Sequence, residues 1–312
     1  MRIFSRTLTS ATARCQHAYI LPQKFTLERA RLFSNYHLLL AHELEQLDAE
    51  TLKKSLAFWN MAQRNGHFIM LDNGAYELGT AMESETFAKI CHMLEPNEII
   101  LPDVLYDGDA SMQRAEQFCS AYAELFHVSD AKTSDCLPPH LTRKAAVIQF
   151  DTRNDPTAPI DMNMLEEQFK FYHRHLGVST LCIPRHFGHD RVYGRTLFLE
   201  QLHQFLHRHS YWLDVFEFHM LGLACVPELE IFPRYYWIRG VDTAAQFVYA
   251  YHGCLLCDHA DVVINKSCKR PQMFFDLHTL NSAAQKLLTA NVAYTRKIMH
   301  QSAQTGWWHF GQ

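Results

Sequence analysis

Short apolar runs alternate along this chain with longer stretches in which apolar residues return every third or fourth position. The runs fall at 36–42, 67–74, 98–103, 144–151, 180–185, 214–222, 236–242 and 261–265, and their Ile, Val, Leu, Phe and Trp predict strands. The stretches 43–63, 83–94, 110–126, 162–175, 195–209 and 278–299 predict helices, as does the segment after 242. In the first of them Leu44, Leu47, Leu52, Leu56 and Trp59 fall near one stripe. The segments 128–139 and 154–159 read as connections. Short apolar strands, each followed by a helix or helical turn, predict a parallel sheet covered on both faces. About eight such units in one chain predict an α/β fold, a (β/α)8 TIM barrel. The alternative is a doubly wound open sheet. No Gly-x-Gly-x-x-Gly follows any strand, so a dinucleotide-binding half has no support.

Composition narrows the class without naming a function. The chain has 312 residues, 48% hydrophobic and 20% charged, which is ordinary globular usage. No shift in composition marks a second domain, so 34–312 is expected to be one barrel domain behind a basic N-terminal arm, 1–33. The first 27 residues lack Asp and Glu but hold Arg2, Arg6, Arg14 and Lys24, as an organellar transit peptide or an ordinary basic arm would. The 9 Cys are scattered and odd in number, which points to reduced thiols and a cytoplasmic location. No run is long and apolar enough to cross a membrane. A formal net charge of -4 argues against a surface coated in basic residues but leaves room for a local basic groove.

The candidate chemistry lies where the predicted strands end. In a barrel these ends converge on one mouth. Here they carry Asp72, Asp103, Gln149, Arg185, His219 with Gly222, Asp242, and Asn265 with Lys266. Buried carboxylates cost several kcal/mol unless paired or used, so acids at three strand ends suggest catalysis. The bland alternative is that each acid caps a helix; Asp242 or Thr243 is suited to cap the helix that follows. Asn73-Gly74 allows a tight turn or close approach to a ligand. Gly222 offers a wall without a side chain, and Gln149 both donates and accepts, which suits the edge of a heterocycle. Tyr76, Phe150 and Met220 are candidate stacking surfaces. Arg239, Lys266, Lys269 and Arg270, with Arg185, would hold a phosphate backbone or form a solvated surface run.

The ordered segments Leu71-Asp72-Asn73-Gly74-Ala75-Tyr76, Pro102-Asp103, Val147-Ile148-Gln149, His219-Met220-Leu221-Gly222-Leu223 and Gly240-Val241-Asp242 resemble the tRNA-guanine transglycosylase family. The likeness spans residues 68–275 and is greatest to phage members that insert 7-deazaguanines into DNA. It implies a (β/α)8 barrel that exchanges guanine for a deazaguanine such as preQ0 at the glycosidic bond. It assigns Asp242 to attack on the sugar and Asp72 to base contact and proton transfer. Asp103, Gln149 and Gly222 would contact the purine, with His219, Arg185 and Tyr76 lining the same site. Two departures stand out. Asn73-Gly74-Ala75-Tyr76 replaces the Ser-Gly-Gly-Phe of the tRNA enzymes. Cys254, Cys257, His259 and Cys268 do not reproduce their zinc spacing, so no cofactor is expected. That absence, with the modest chain length, favours DNA over tRNA as the nucleic-acid partner.

The expected chemistry is a double displacement through a covalent aspartyl-sugar intermediate. Asp72 would protonate the leaving base and deprotonate the incoming one. The target base must first leave its stack. A retaining glycoside hydrolase on the same barrel would need a similar pair of acids, and a non-catalytic partner subunit would need neither. Oligomeric state has no signal in the sequence.

Overall fold

A computed structural model describes residues 16–20, 36–126, 142–153, 160–187, 194–223, 228–243, 245–256 and 282–304. Within them the chain forms an α/β barrel of parallel strands. The strands are β1 (Gln16–Ile20), β2 (Tyr36–Leu40), β3 (Phe68–Asp72), β4 (Glu98–Ile100), β5 (Arg143–Val147), β6 (Thr180–Ile183), β7 (Glu217–Met220) and β8 (Ile238–Thr243). They follow one another around the barrel in chain order, and β1 lies between β2 and β8. The segment read from sequence as an arm therefore includes a strand of the sheet. Its polar and basic flanks hid it. The strand predicted at 261–265, together with Asn265, Lys266, Lys269 and Arg270, lies outside the described residues.

Strand side chains alternate between two apolar environments. Leu38, Leu40, Met70, Ile100, Ala145, Val147 and Cys182 fill the barrel interior. Leu39, Ile69, Leu71, Ile99, Ala146, Leu181, Phe218 and Val241 face the other way, into the core shared with Trp59, Phe87, Phe118, Phe169, Leu202 and Trp212. Both environments exclude water, which is why the strands read as continuous apolar runs. The helix expected across 43–63 is divided into Ala41–Glu45 and Ala49–Arg64. Asp48 makes the break: its carboxylate accepts the N–H groups of Glu50 and Thr51 and caps the second helix.

The amino-terminal end of the barrel is closed by a polar layer. Arg239 donates to Glu98 at 2.7 Å, to Glu217 at 2.9 Å and to Thr180 at 3.1 Å, and also to the Tyr36 hydroxyl. Arg143 reaches Glu217 at 2.5 Å. Burial pushes the Glu98 carboxyl up, but Arg239, Arg143 and the Thr180 hydroxyl hold it below its ordinary value. Tyr36 and Phe68 stack at 4.8 Å beside the Arg239 guanidinium. Arg239, expected among the phosphate contacts, thus lies at the end of the barrel opposite Asp72, Asp103 and Asp242.

The reason is a break in register on β8. Phe218 pairs with Ile238, whereas His219 pairs with Gly240, so Arg239 is an extra residue. Positions three apart on a regular strand face opposite ways. The extra residue lets Arg239 and Asp242 both point into the barrel, one toward each end. Among the described residues no helix is long and apolar enough to cross a membrane.

Candidate active site

Asp72 is the last residue of β3, and its side chain turns back to accept the Gly74 N–H at 3.2 Å. Gly74 has φ +76, and a Cβ there would lie 2.3 Å from His42 Nδ1. Only glycine fits this turn. Burial first, then the negative charges of Glu77, Asp103 and Asp242, push the Asp72 carboxyl well above its ordinary value. Asp72 therefore holds its proton to higher pH than an exposed aspartate does.

Asp103 lies just past β4 and is 5% exposed. It accepts from Gln149 Nε2 at 2.7 Å and from Asn73 Nδ2 at 3.3 Å, and burial raises its proton affinity against these bonds. Gln149 is fully buried, and its Oε1 accepts the Tyr106 N–H at 3.0 Å. Its main chain is bracketed by Gln168, which accepts from the Gln149 N–H at 3.1 Å and donates to its carbonyl at 3.0 Å. Gln149 was expected to present a free amide to a base. Instead one donor and its carbonyl oxygen are engaged within the protein. Tyr106, whose φ is +67, is the residue that fixes the amide, and nothing in its sequence neighbourhood signals that role.

Asp242 is 3% exposed, near the end of β8. His219 Nε2 and the Gly222 N–H both reach its Oδ1, each at 3.0 Å. Oδ2 has no hydrogen bond to a described residue. Asp242 is not the helix cap that the bland alternative required. Thr243 Oγ1, not Asp242, accepts the Ala245 N–H, at 3.0 Å.

His219, expected to contact substrate, is fully buried within β7 and meets Asp242. Burial lowers its proton affinity, and the Asp242 charge only partly restores it. Its Nε2 faces the carboxylate, which requires the proton of a neutral ring on that nitrogen, while Nδ1 is buried and has no hydrogen-bond partner among the described residues. The Gly222 N–H is likewise committed to Asp242, while its carbonyl accepts from Arg195 and keeps a second lone pair. The Arg185 stem passes 3.5 Å from where a Gly222 side chain would begin, which places Arg185 beside Asp242's support. Tyr76 is 43% exposed on the short helix Ala75–Leu78 that follows Asp72. Phe150 and Met220, named as stacking surfaces, instead belong to the core between sheet and helices.

No group of three or more His, Cys, Asp or Glu among the described residues is arranged to hold a metal ion. Cys257, His259 and Cys268 lie outside them. No protein-family model matches the chain, and no curated protein shows a significant match.

Proposed function

We propose that this chain is a base-exchange transglycosylase on a (β/α)8 barrel, replacing guanine in a nucleic acid, DNA in preference to tRNA, with a 7-deazaguanine such as preQ0. The observation that carries this reading is the contrast between two acids at one end of the barrel. Burial and neighbouring acids make Asp72 hold its proton more tightly than an exposed aspartate, whereas Asp242 has two donors on one oxygen, which suits a carboxylate. Oδ2 of Asp242 attacks the anomeric carbon as the glycosidic bond breaks, and Asp72 gives its proton to the departing guanine. The incoming base loses a proton to Asp72, and its nitrogen displaces the Asp242 carboxylate. Two inversions retain configuration. Asp103, which accepts from the side chains of Asn73 and Gln149, keeps acceptor capacity for N–H groups of a purine. Lys266, Lys269 and Arg270, with Arg185, are the proposed phosphate contacts.

The test is incorporation of radiolabelled guanine into duplex DNA, single-stranded DNA or tRNA. Wild type labels one polymer, Asp242→Asn labels none, and Asp72→Asn is slowed by about 10²-fold or more. Normal exchange by Asp242→Asn overturns the assignment. A retaining glycoside hydrolase would use the same contrast between acids; release of free sugar from a glycan, with no label in any polymer, would select it.

A further inference from the structure

Arg195 is fully buried, yet its guanidinium is surrounded by acceptors. Nη1 donates to the Ile183 carbonyl at the end of β6 at 2.8 Å and to the Leu221 carbonyl just past β7 at 2.9 Å. Nη2 donates to the Gly222 carbonyl at 2.7 Å and to Glu228 Oε2 at 3.1 Å. Nε donates to Glu228 Oε1 at 3.0 Å, and the same oxygen accepts the Arg195 main-chain N–H at 2.6 Å. Gly194 permits this approach, since a Cβ there would lie 2.3 Å from Glu228 Oε1. A planar fork held by a carboxylate on one side fixes the carbonyls on the other.

One of those carbonyls belongs to the peptide group that serves Asp242. The Leu221–Gly222 peptide has its oxygen on Arg195 and its N–H on Asp242 Oδ1. Because the peptide is planar, fixing the oxygen aims the N–H. Gly222, at φ +60, would otherwise be the most pliable point of this turn. We propose that Arg195, held by Glu228, is a positioning residue for Asp242. It locks the Leu221–Gly222 peptide so that Oδ1 is held and Oδ2 is left toward the reacting carbon. The catalytic half of this proposal rests on the transglycosylase reading; the mechanical half does not.

The test uses the full chain carrying Arg195→Lys or Glu228→Gln, with two readouts. Amide hydrogen exchange is expected to quicken about tenfold or more at Gly222, with the amides of β2 to β5 unchanged. Label incorporation per folded molecule is expected to fall about 10²-fold in kcat for Arg195→Lys, less for Glu228→Gln, with KM for the polymer within about twofold of wild type. Unchanged exchange at Gly222, or an unchanged kcat, overturns the proposal. So does failure of both variants to fold, which would assign Arg195 to holding the barrel together. If wild type labels no polymer, the transglycosylase reading fails, while hydrogen exchange still decides whether Arg195 holds the peptide.

Discussion

His219 Nε2 lies 3.0 Å from Asp242 Oδ1, and these two residues stand on neighbouring strands, β7 and β8, with the imidazole fully buried. A neutral ring that only donates keeps the carboxylate oriented without neutralising it. Replacement of His219 by Phe removes the donor and leaves the Gly222 N–H as the remaining hold on Oδ1. If the chain is the proposed transglycosylase, the expected result is a kcat lower by about 10²-fold, with Gln at the same position recovering part of it. Equal rates for the Phe variant and wild type would show that the bond is incidental.

Asp72 sets a pH dependence of stability. Its carboxyl is raised in the folded chain by burial and by neighbouring acids, and Asp103 is raised by burial. A group whose folded value is raised contributes stability below its unfolded value, about 3.9, that is lost as pH rises through the folded one. Stability from this pair should therefore decline above about pH 4. Asp72→Asn should flatten that decline, and urea unfolding at a series of pH values checks it. An unaltered slope would count against a buried, proton-holding Asp72.

His37 acts at the acid end. Burial, then the neighbouring His67, lowers its value to about 3, and His37 Nε2 lies 2.8 Å from His67 Nδ1. Below the unfolded value of about 6.5 the unfolded chain takes up a proton that the folded chain refuses, so stability is lost as pH falls toward about 3. His37→Gln should reduce this acid sensitivity, although its stability near pH 7 is expected to be lower through poorer packing on Trp59. Identical acid unfolding midpoints for the two chains would refute the assignment.

The polar layer at the other end should behave as structure, not as a ligand site. Glu98 is fully buried between Arg239 and Arg143, and removing one partner of a buried pair typically costs about 3–5 kcal/mol. Arg239→Met should lower the melting temperature sharply. On the proposed transglycosylase reading, the salt dependence of nucleic-acid binding by the folded fraction should not change, because Arg239 is engaged by Glu98 and Glu217. A shallower salt slope in this variant would return Arg239 to the binding surface.

Gly74→Ala tests the turn that places Asp72. The substitution combines φ +76 with a Cβ 2.3 Å from the His42 ring, so a loss of about 1–3 kcal/mol is expected. Adding His42→Ala should relieve the contact but not the backbone strain, giving partial recovery in thermal melts. Full recovery would mean that the left-handed turn itself costs nothing.

Much of the fold is legible in the sequence, because burial on both faces leaves continuous apolar runs at β2 to β8, and acids at their ends break the pattern at Asp72, Asp103 and Asp242. The roles around those acids are not legible. Gln149, His219 and Gly222 have the right chemistry for a ligand, but only the register between strands shows that Asp103, Asp242, Tyr106 and Arg195 already engage them. Arg239 and Asp242 lie three residues apart, and a two-residue period would send them to opposite faces of β8. The extra residue against Phe218 and His219 overrules that period, and it exists only in the pairing with β7. For β2 to β8 the sequence determined which segments become strands and which acids end them, since local periodicity is written along one chain; β1 was recognised only from its pairing with β2 and β8. Which polar groups meet was decided by closure of the barrel, since hydrogen bonds across strands depend on a register that no single segment contains.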